Sequence, residues 1–298
     1  MKRFFKQSKA DIAFDIVNYS ILAVLLVIFV IPLWFVLIAS ISSPEALYQG
    51  KVLLLPKGIT FSGYARILQQ EEIWLGYRNS VFYTIAGTLI SLFFTFSAAY
   101  PLSRKDFKAR NIIMGFYLVT MFFNGGIIAT YLLVKSLGML DTVWALFLPT
   151  AVSVYNIIVT RTFFQNSIPH DLFEAASLDG ATNMTYITKV VLPLSKPIIA
   201  VMALFYGVGK WNEFFNALLY IQDRAKMPLQ IFLREFLLQS QMSADMVGVD
   251  ARWAAEQQQT AEVIKYGIIV VASLPVLIMY PFVQKHFVKG IMIGSVKG

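Results

Sequence analysis

The chain has 298 residues, of which 57% are hydrophobic and only 14% are charged, and its formal net charge is +8. This composition lies far from the average of soluble globular domains and is typical of membrane proteins. The absence of cysteine excludes disulfides, thiolate catalysis and cysteine-based metal sites, and His170 and His286 are too far apart in sequence to suggest a shared site.

Six apolar stretches have the length of about 20 residues that a helix needs to cross roughly 30 Å of hydrocarbon. They predict membrane spans at residues 16–39, 79–102, 111–134, 142–164, 195–220 and 263–284. The first stretch follows several basic residues, but it is too long for the apolar core of a cleavable signal peptide, so we expect it to be retained. The sequence therefore predicts an all-α polytopic membrane protein in which residues 1–298 form a single transmembrane domain.

Lysine and arginine collect beside particular spans and so predict the orientation of the chain. They are concentrated in the N-terminus, in the connection SRKDFKAR at 103–110, in the 161–196 connection and in the tail 285–298. Because basic residues mark the cytoplasmic side, both termini are predicted to be cytoplasmic, and residues 40–78, 135–141 and 221–262 to lie outside. The positive charge thus reports topology, and no basic patch with interleaved aromatic residues indicates nucleic-acid binding.

The stretch EAASLDGATNMTYITKVVLP at 174–193 is polar although apolar spans lie on both sides of it. Its pattern predicts two short helices. Asp171 is expected to cap the first helix with Glu174 at the third helical position, and Gly180 to end it in a left-handed conformation. The second helix is predicted at about 182–191 and is expected to stop before Pro193, whose ring cannot continue it.

Two interpretations of this polar stretch follow from its residues. It could form an amphipathic hairpin that lies on the membrane surface. Alternatively, it could dock into a partner protein through a closely packing surface made by Ala175 and Ala176 and bordered by Glu174 and Asp179. The residue pattern alone leaves both open.

The spacing of these residues resembles a family motif. Glu174-Ala175-Ala176, Gly180 and Val190-x-Leu192-Pro193 are similar to the EAA loop, E-A-A-x3-G-x9-I-x-L-P, of the membrane subunits of bacterial ABC importers; Val190 replaces the usual isoleucine. LLLPKGIT after the first span, WNEFFNALLY in the fifth and KGIMIGSVKG at the end resemble the carbohydrate-uptake branch of that family.

This resemblance implies a type I ABC importer permease of the bacterial cytoplasmic (inner) membrane. Its implied partners are a second permease, two ATP-binding subunits and an extracellular or periplasmic solute-binding protein that delivers an oligosaccharide. ATP and Mg²⁺ would be bound by the ATPase subunits, with no cofactor in this chain, and residues 290–298 would reach between those subunits. Within the coupling loop at 168–193, the resemblance assigns ATPase contact to Glu174, Ala175, Ala176, Asp179, Gly180, Leu192 and Pro193.

The predicted fifth span carries polar side chains that are costly in lipid and normally face a bundle interior or a watery cavity. On a continuous helix, one arc of roughly 160° collects eight residues. They are Tyr206, Gly209, Lys210, Asn212, Glu213, Asn216, Ala217 and Tyr220. Contact with a transported substrate is one interpretation; alternatively, Lys210 and Glu213 neutralise each other while Asn212 and Asn216 bond neighbouring helices.

Two further features bear on the substrate. Asn124 precedes Gly125 and Gly126 in the third span, where adjacent glycines favour either a local helix break at a transport site or close helix packing. A free Lys210 ammonium would suit a uronate oligosaccharide, whereas its neutralisation by Glu213 would leave the cavity indifferent to acid groups. A neutral oligosaccharide, a peptide and a lipid-linked solute therefore remain alternatives.

Other function classes fit less well. GVGKWN at 207–212 lacks the leading glycine and the Ser or Thr of a phosphate loop, so Lys210 is not expected to bind nucleotide. An intramembrane enzyme would need paired acids or a metal or nucleophile constellation at depth, and no catalytic or metal residues are predicted. A passive channel would not need a docking loop for an ATPase.

Overall fold

The computed structural model describes residues 8–244 and 261–281, which contain helices, turns and bends but no strand. Residues 245–260, the tail 285–298 and the end of the sixth predicted span lie outside the described residues. In chain order the α-helices are α1 (Lys9–Ser40), α2 (Pro44–Tyr48), α3 (Ser62–Leu68), α4 (Glu71–Ser103), α5 (Arg110–Phe122), α6 (Gly126–Ser136), α7 (Trp144–Phe147), α8 (Val154–Ser167), α9 (His170–Leu178), α10 (Asn183–Tyr186), α11 (Leu192–Leu194), α12 (Lys196–Trp211), α13 (Phe215–Tyr220), α14 (Leu229–Ala244) and α15 (Ala261–Pro281).

Three described helices, α1, α4 and α15, are each long and apolar enough to cross a membrane. Two pairs of helices, each bent at a short break, are also long and apolar enough to cross a membrane when the two helices of a pair are counted as one span. One is α5 with α6, bent by 113°, and the other is Asn183–Leu194 with α12, bent by 76°. Within the described residues this gives three candidate spans, or five if each bent pair is one span, and the count of six stays a prediction.

Of the two alternatives for the third span, a helix break and close helix packing, the structure has the break, which lies at residues 123–125 between α5 and α6. Gly126 has a φ of +81°, a conformation that side chains with a Cβ rarely adopt. The Asn124 carboxamide oxygen accepts a hydrogen bond from the Gly126 N–H at 2.8 Å. Glycine and asparagine together therefore turn the chain instead of continuing the helix.

The fourth and fifth predicted spans are both interrupted, and the continuous helix that the arc of the fifth span assumed is wrong. In the fourth, α7 ends at Phe147 and α8 begins at Val154, with Pro149 between them, where it has no N–H to continue a helix. In the fifth, α12 ends at Trp211 and α13 begins only at Phe215. The single arc expected from one helical period therefore does not extend past Asn212.

The contacts divide the described residues into two compact units. The first unit contains the described residues of Met1–Gln70 and Glu235–Ala272. The second unit contains the described residues of Glu71–Arg234 and Ser273–Gly298. In the first unit, Tyr64 of α3 donates a hydrogen bond to the Ser40 hydroxyl at 2.8 Å, and Phe35 meets Tyr266 of α15 edge to face at 5.6 Å. These contacts hold the end of α1 against α3 and α15.

In the second unit, α4 packs against both α8 and α12. The α4 helix also fixes the segment that follows α13. The Asn79 amide donates to the Ala225 and Met227 carbonyls at 2.9 and 3.0 Å, and the Tyr83 hydroxyl donates to the Lys226 carbonyl at 2.7 Å. Side chains that were expected to lie in a membrane span thus hold a loop in place.

Asp141 joins that loop to the residues before α7. It has a φ of +57°, and its carboxylate accepts hydrogen bonds from the N–H groups of Gln222 and Asp223 at 3.1 and 3.0 Å. Lys226 donates to the same carboxylate at 3.2 Å. The two backbone N–H groups, followed by Lys226, lower the pKa of Asp141, so the link is ionised at neutral pH.

Candidate functional site

The coupling segment, residues 168–193, presents one face of α9 inward and one outward. Phe173 and Ala176 pack against the core that contains Phe164 and Tyr186. Leu178 is 90% exposed, and Leu172 is 40% exposed. The outward face also carries Asp171, Glu174, Ala175 and Asp179. Two apolar side chains bordered by acids thus face away from the protein, and Leu178 is an exposed contact candidate that the motif does not contain.

The two motif alanines do not form one surface. Ala175 is exposed, whereas Ala176 packs inward on the core of its own chain. The two side chains differ because adjacent residues lie about 100° apart around a helix axis. The contact of both alanines with an ATPase subunit stays a prediction.

The expected capping arrangement of Asp171 with Glu174 is absent. Pro169 is the N-cap of α9, with a φ of −58° and a ψ of 142°, so the helix begins at His170 and Asp171 lies inside its first turn. Glu174 instead meets the His170 ring nitrogen Nδ1 at 3.0 Å. The helix cannot begin earlier, because proline disfavours the helical conformation of the residue before it and Ile168 is extended.

Gly180 ends α9 as predicted, in a left-handed conformation with a φ of +73°. The Gly180 N–H donates to the Ser177 carbonyl at 3.1 Å, and the Ala181 N–H donates to the Ala176 carbonyl at 2.9 Å. This paired bonding satisfies the last carbonyls of the helix. The turn therefore depends on a conformation that glycine adopts at low cost.

The second helix of the segment begins as expected but does not stop before Pro193. Thr182 is the N-cap and accepts a hydrogen bond from the Thr185 N–H at 3.2 Å. A π-helical turn at Ile187–Val191 follows α10, and α11 then carries the chain through Pro193. The wider turn leaves room for a ring that would otherwise clash with the preceding turn, which is why the helix survives the proline.

Arg104, just after α4, connects that helix to α9. Its guanidinium lies 3.5 Å from the centroid of the Phe173 ring and pairs with Asp106 through two bonds of 2.8 Å. Phe173 also meets Tyr186 edge to face at 5.3 Å. The Arg104 side chain is only 13% exposed. The sequence had indicated only a topology role for this arginine.

The Arg104–Asp106 pair also sets a pH limit. The side-chain hydrogen bond from Arg104 lowers the pKa of Asp106, so the carboxylate is charged at neutral pH. A carboxyl group whose pKa is lower in the folded state than in the unfolded state stabilises the fold at pH values above the unfolded-state pKa. This contribution is lost as the pH falls through the folded-state pKa. The Arg104–Asp106 ion pair should thus be insensitive to pH near neutrality.

We expect Arg104→Ala to loosen the coupling segment. Loss of a cation–π contact worth about 1 kcal/mol should make amide exchange in α9 roughly fivefold faster. Hydrogen–deuterium exchange of the purified protein measures this directly. Lys108→Ala is the matched control, because Lys108 is exposed on the same connection. Equal exchange rates in both variants would show that Arg104 does not hold α9.

Lys210 lies at the centre of the second candidate region, where α12 meets the residues around α7. Its ammonium donates to the Leu146 carbonyl at 2.8 Å, to the Thr150 hydroxyl, and to the Glu213 carboxylate at 3.4 Å. The Lys210 and Glu213 side chains are 6% and 17% exposed. The carbons of Lys210 lie against Gly87, where an added Cβ would be only 3.2 Å from them. The ammonium is therefore already fully bonded.

A cavity of about 390 Å³ opens beside this cluster. Five of its lining residues belong to the predicted arc: Tyr206, Gly209, Lys210, Asn212 and Glu213. Thr150 and the aromatic side chains of Phe205, Phe214 and Phe215 complete the lining. Aromatic walls with a few polar groups are typical of small-molecule sites, so the geometry suits an uncharged, ring-containing surface better than a lone carboxylate.

The remaining predicted path residues do not line the cavity. Asn216 donates to the Glu213 carboxylate, and Tyr220 stacks on Tyr131 with ring centroids 6.2 Å apart. Asn124 accepts the hydrogen bond from the Gly126 N–H at the start of α6, and its side chain is exposed. The Lys210–Glu213 pair agrees with the interpretation in which the two charges neutralise each other. Asn216, however, bonds Glu213 in the same predicted span, whereas that interpretation expected it to bond a neighbouring helix.

Hydrogen bonds on either side of the cavity also involve predicted residues. Asn212 donates to the Val208 carbonyl of its own helix at 3.0 Å. The Tyr206 hydroxyl and the Thr95 hydroxyl are 2.6 Å apart, and the Ser153 N–H donates to the same tyrosine oxygen at 3.3 Å. Within the described residues, no group of three or more His, Asp or Glu side chains could hold a metal ion.

Long apolar helices, an exposed polar coupling segment and a cavity among broken helices define the class of a membrane transport permease. Residues 73–293 match the model of the family described as "Binding-protein-dependent transport system inner membrane component". The chain belongs to this family and is a multi-pass protein of the bacterial inner membrane.

Individual relatives extend the similarity to nearly the whole chain. It is 43% identical to Protein LplC of Bacillus subtilis (strain 168), over 98% of this chain and 97% of the relative. It is 42% identical to the polygalacturonan/rhamnogalacturonan transport system permease protein YtcP of the same organism, over 96% and 98%. A crystal structure of a bacterial ABC transporter involved in the import of the acidic polysaccharide alginate contains a chain that is 34% identical, with a TM-score of 0.82 and coverage of 94% and 99%.

Proposed function

We propose that this chain is one of two permeases in an ATP-driven importer that passes an oligosaccharide from a solute-binding protein into the cytoplasm. In this proposal the coupling segment contacts separate ATPase subunits, which bind ATP and Mg²⁺, and both chain termini are cytoplasmic. The solute enters the cavity beside α12 and α13. An alternating change of access would move it across the membrane.

The observation that carries the proposal is the outward face of α9. Exposed Leu172, Ala175 and Leu178, with acids at their border, form a surface that a folded partner could cover. A helix that only rested on the membrane would turn its apolar stripe toward the lipid, but Phe173 and Ala176 of α9 are already packed on the protein core. The geometry therefore favours a protein partner over the membrane-surface hairpin.

We further propose that the oligosaccharide contains uronate units. Support comes from the relatives, since one is named for polygalacturonan and rhamnogalacturonan and the similar crystal structure for alginate import. Lys210 does not serve as the group that recognises the acid, because its ammonium is bonded to Leu146, Thr150 and Glu213. Selection of the acidic solute is then a task of the binding protein or of the second permease.

Uptake by reconstituted vesicles tests the proposal. Vesicles that contain this chain, its partner permease, the ATPase subunits and the binding protein should accumulate a galacturonate oligomer when ATP is supplied on the ATPase side. Vesicles that contain this chain alone should accumulate none. Uptake by this chain alone would contradict the proposed assembly, whereas uptake restricted to neutral oligomers would contradict only the uronate assignment.

A further inference from the structure

The segment Lys51–Phe61, which follows α2, holds a fixed backbone without regular secondary structure. Its Val52 side chain is buried, with 3% exposed. The Ser43 N–H donates to the Lys57 carbonyl at 2.9 Å, and the Thr60 N–H donates to the Ile41 carbonyl at 2.9 Å. The backbone is therefore tied to the residues that follow α1 at several points.

Three consecutive leucines in this segment point away from the protein. Leu53, Leu54 and Leu55 are 74%, 66% and 70% exposed. Ile59 and Phe61 are 66% and 64% exposed. The Lys51 N–H before the leucines also donates to the Ala46 carbonyl, at 3.0 Å. The leucine side chains therefore cannot turn inward unless hydrogen bonds of the flanking backbone break. An exposed apolar cluster of this size marks a surface that something apolar covers.

A hydrogen bond to α1 gives the depth of the cluster. The Trp34 indole N–H donates to the Leu54 carbonyl at 2.8 Å. Trp34 lies six residues before Ser40, where α1 ends, so the segment folds back along α1 by roughly 9 Å. The exposed apolar surface of α1 continues past Trp34 to Leu37, which is 47% exposed. The leucines therefore lie level with the lipid-facing surface of α1.

The flanking charges suit a lipid surface. Lys51 and Lys57 are exposed on either side of the leucines, and neither forms an ion pair with any residue that the structure describes. Lysines beside an apolar segment extend their ammonium groups toward lipid phosphates, and tryptophan prefers the same interfacial level.

We propose that Leu53, Leu54 and Leu55 insert into the acyl region of the leaflet that meets the C-terminal end of α1, with Lys51 and Lys57 at the level of the lipid phosphates. The segment is an interfacial anchor that fixes the end of α1 in the bilayer. This inference depends on the membrane location of the chain and is independent of the solute that is transported.

Spin labelling tests the anchor, because the chain contains no cysteine and a single one can be introduced. Leu54→Cys is labelled with a nitroxide in the assembled complex, made with cysteine-free partner subunits and placed in phosphatidylethanolamine–phosphatidylglycerol vesicles. Collision with oxygen, which enters lipid, is compared with collision with a water-soluble nickel chelate. Leu26→Cys on α1, where the native side chain is 63% exposed, is the lipid reference, and Gln49→Cys, just after α2, is the water reference.

The label at residue 54 should match the residue 26 reference, with oxygen collisions exceeding nickel collisions. Leu53→Cys repeats the measurement in case residue 54 perturbs the Trp34 contact. A nickel-accessible label at both leucine positions would overturn the proposal in favour of exposure to water. A label shielded from both reagents would overturn it in favour of coverage by a protein subunit.

Discussion

Replacing Lys210 by methionine should destabilise the protein instead of changing its choice of solute. The substitution removes the bonds to Leu146 and Thr150 and leaves the Glu213 carboxylate without its cation in a site that is mostly excluded from water. Breaking one side of a buried ion pair in this way should lower the free energy of unfolding by about 3–5 kcal/mol. The measurement is the thermal unfolding midpoint of the purified protein in detergent.

A double variant separates the ion pair from the other bonds of Lys210. Glu213→Gln keeps an oxygen for Asn216 and leaves Lys210 bonded to Leu146 and Thr150, so it should cost less than Lys210→Met. Combining both changes removes the uncompensated charge, and its cost should be smaller than the sum of the two single costs. Lys196→Met, at the exposed start of the same helix, is the matched control and should have little effect.

Transport assays distinguish this structural role from the alternative in which Lys210 binds an acidic sugar. Because the cluster positions α12 beside the cavity, Lys210→Met should reduce uptake of uronate and neutral oligomers alike. A variant with unchanged thermal stability and a selective loss of uronate uptake would show instead that the ammonium contacts the solute.

Local signals in the sequence predicted much of the fold. Apolar length located α1, α4 and the described part of the last span, and the glycines beside Asn124 gave the break before α6 as one of two alternatives. The position of Gly180 at the end of α9 followed from the same kind of local chemistry. Each of these features depends on residues that are close together in the chain, which is why the sequence alone was sufficient.

The arrangement around Lys210 could not be predicted in this way. Its two partners other than Glu213 lie 64 and 60 residues earlier in the chain, and a single helical period carries no information about them. That period also assumed a continuous fifth helix, whereas the chain breaks after Trp211. The contact of Arg104 with Phe173 also joins residues that are far apart in the chain, and it was missed. Membrane topology already explained why basic residues lie in the connection beside this span.

Gly180 allows the proposed role of the coupling segment to be tested against a closely matched control. Gly138, after α6, has a φ of +65°, and an added Cβ would meet nothing within 4 Å at either glycine. The hydrogen bonds also correspond. The Gly138 N–H donates to the Lys135 carbonyl at 3.0 Å and the Met139 N–H to the Val134 carbonyl at 3.1 Å, which repeats the pattern at the end of α9. The same substitution should therefore impose the same backbone strain at both sites.

Gly180→Val is expected to weaken the stimulation of ATP hydrolysis by the loaded binding protein, whereas Gly138→Val is not. A β-branched residue in the left-handed conformation costs about 1–2 kcal/mol, so the end of α9 should open and displace the exposed Leu178. Gly180→Asn should be milder, since asparagine tolerates this conformation. In reconstituted complexes, Gly180→Val should lose most of the ATP hydrolysis that the loaded binding protein stimulates, while the amount of inserted protein is unchanged. Because strain is matched at the two glycines, equal losses at both positions would assign the effect to general destabilisation and remove the support for a coupling role.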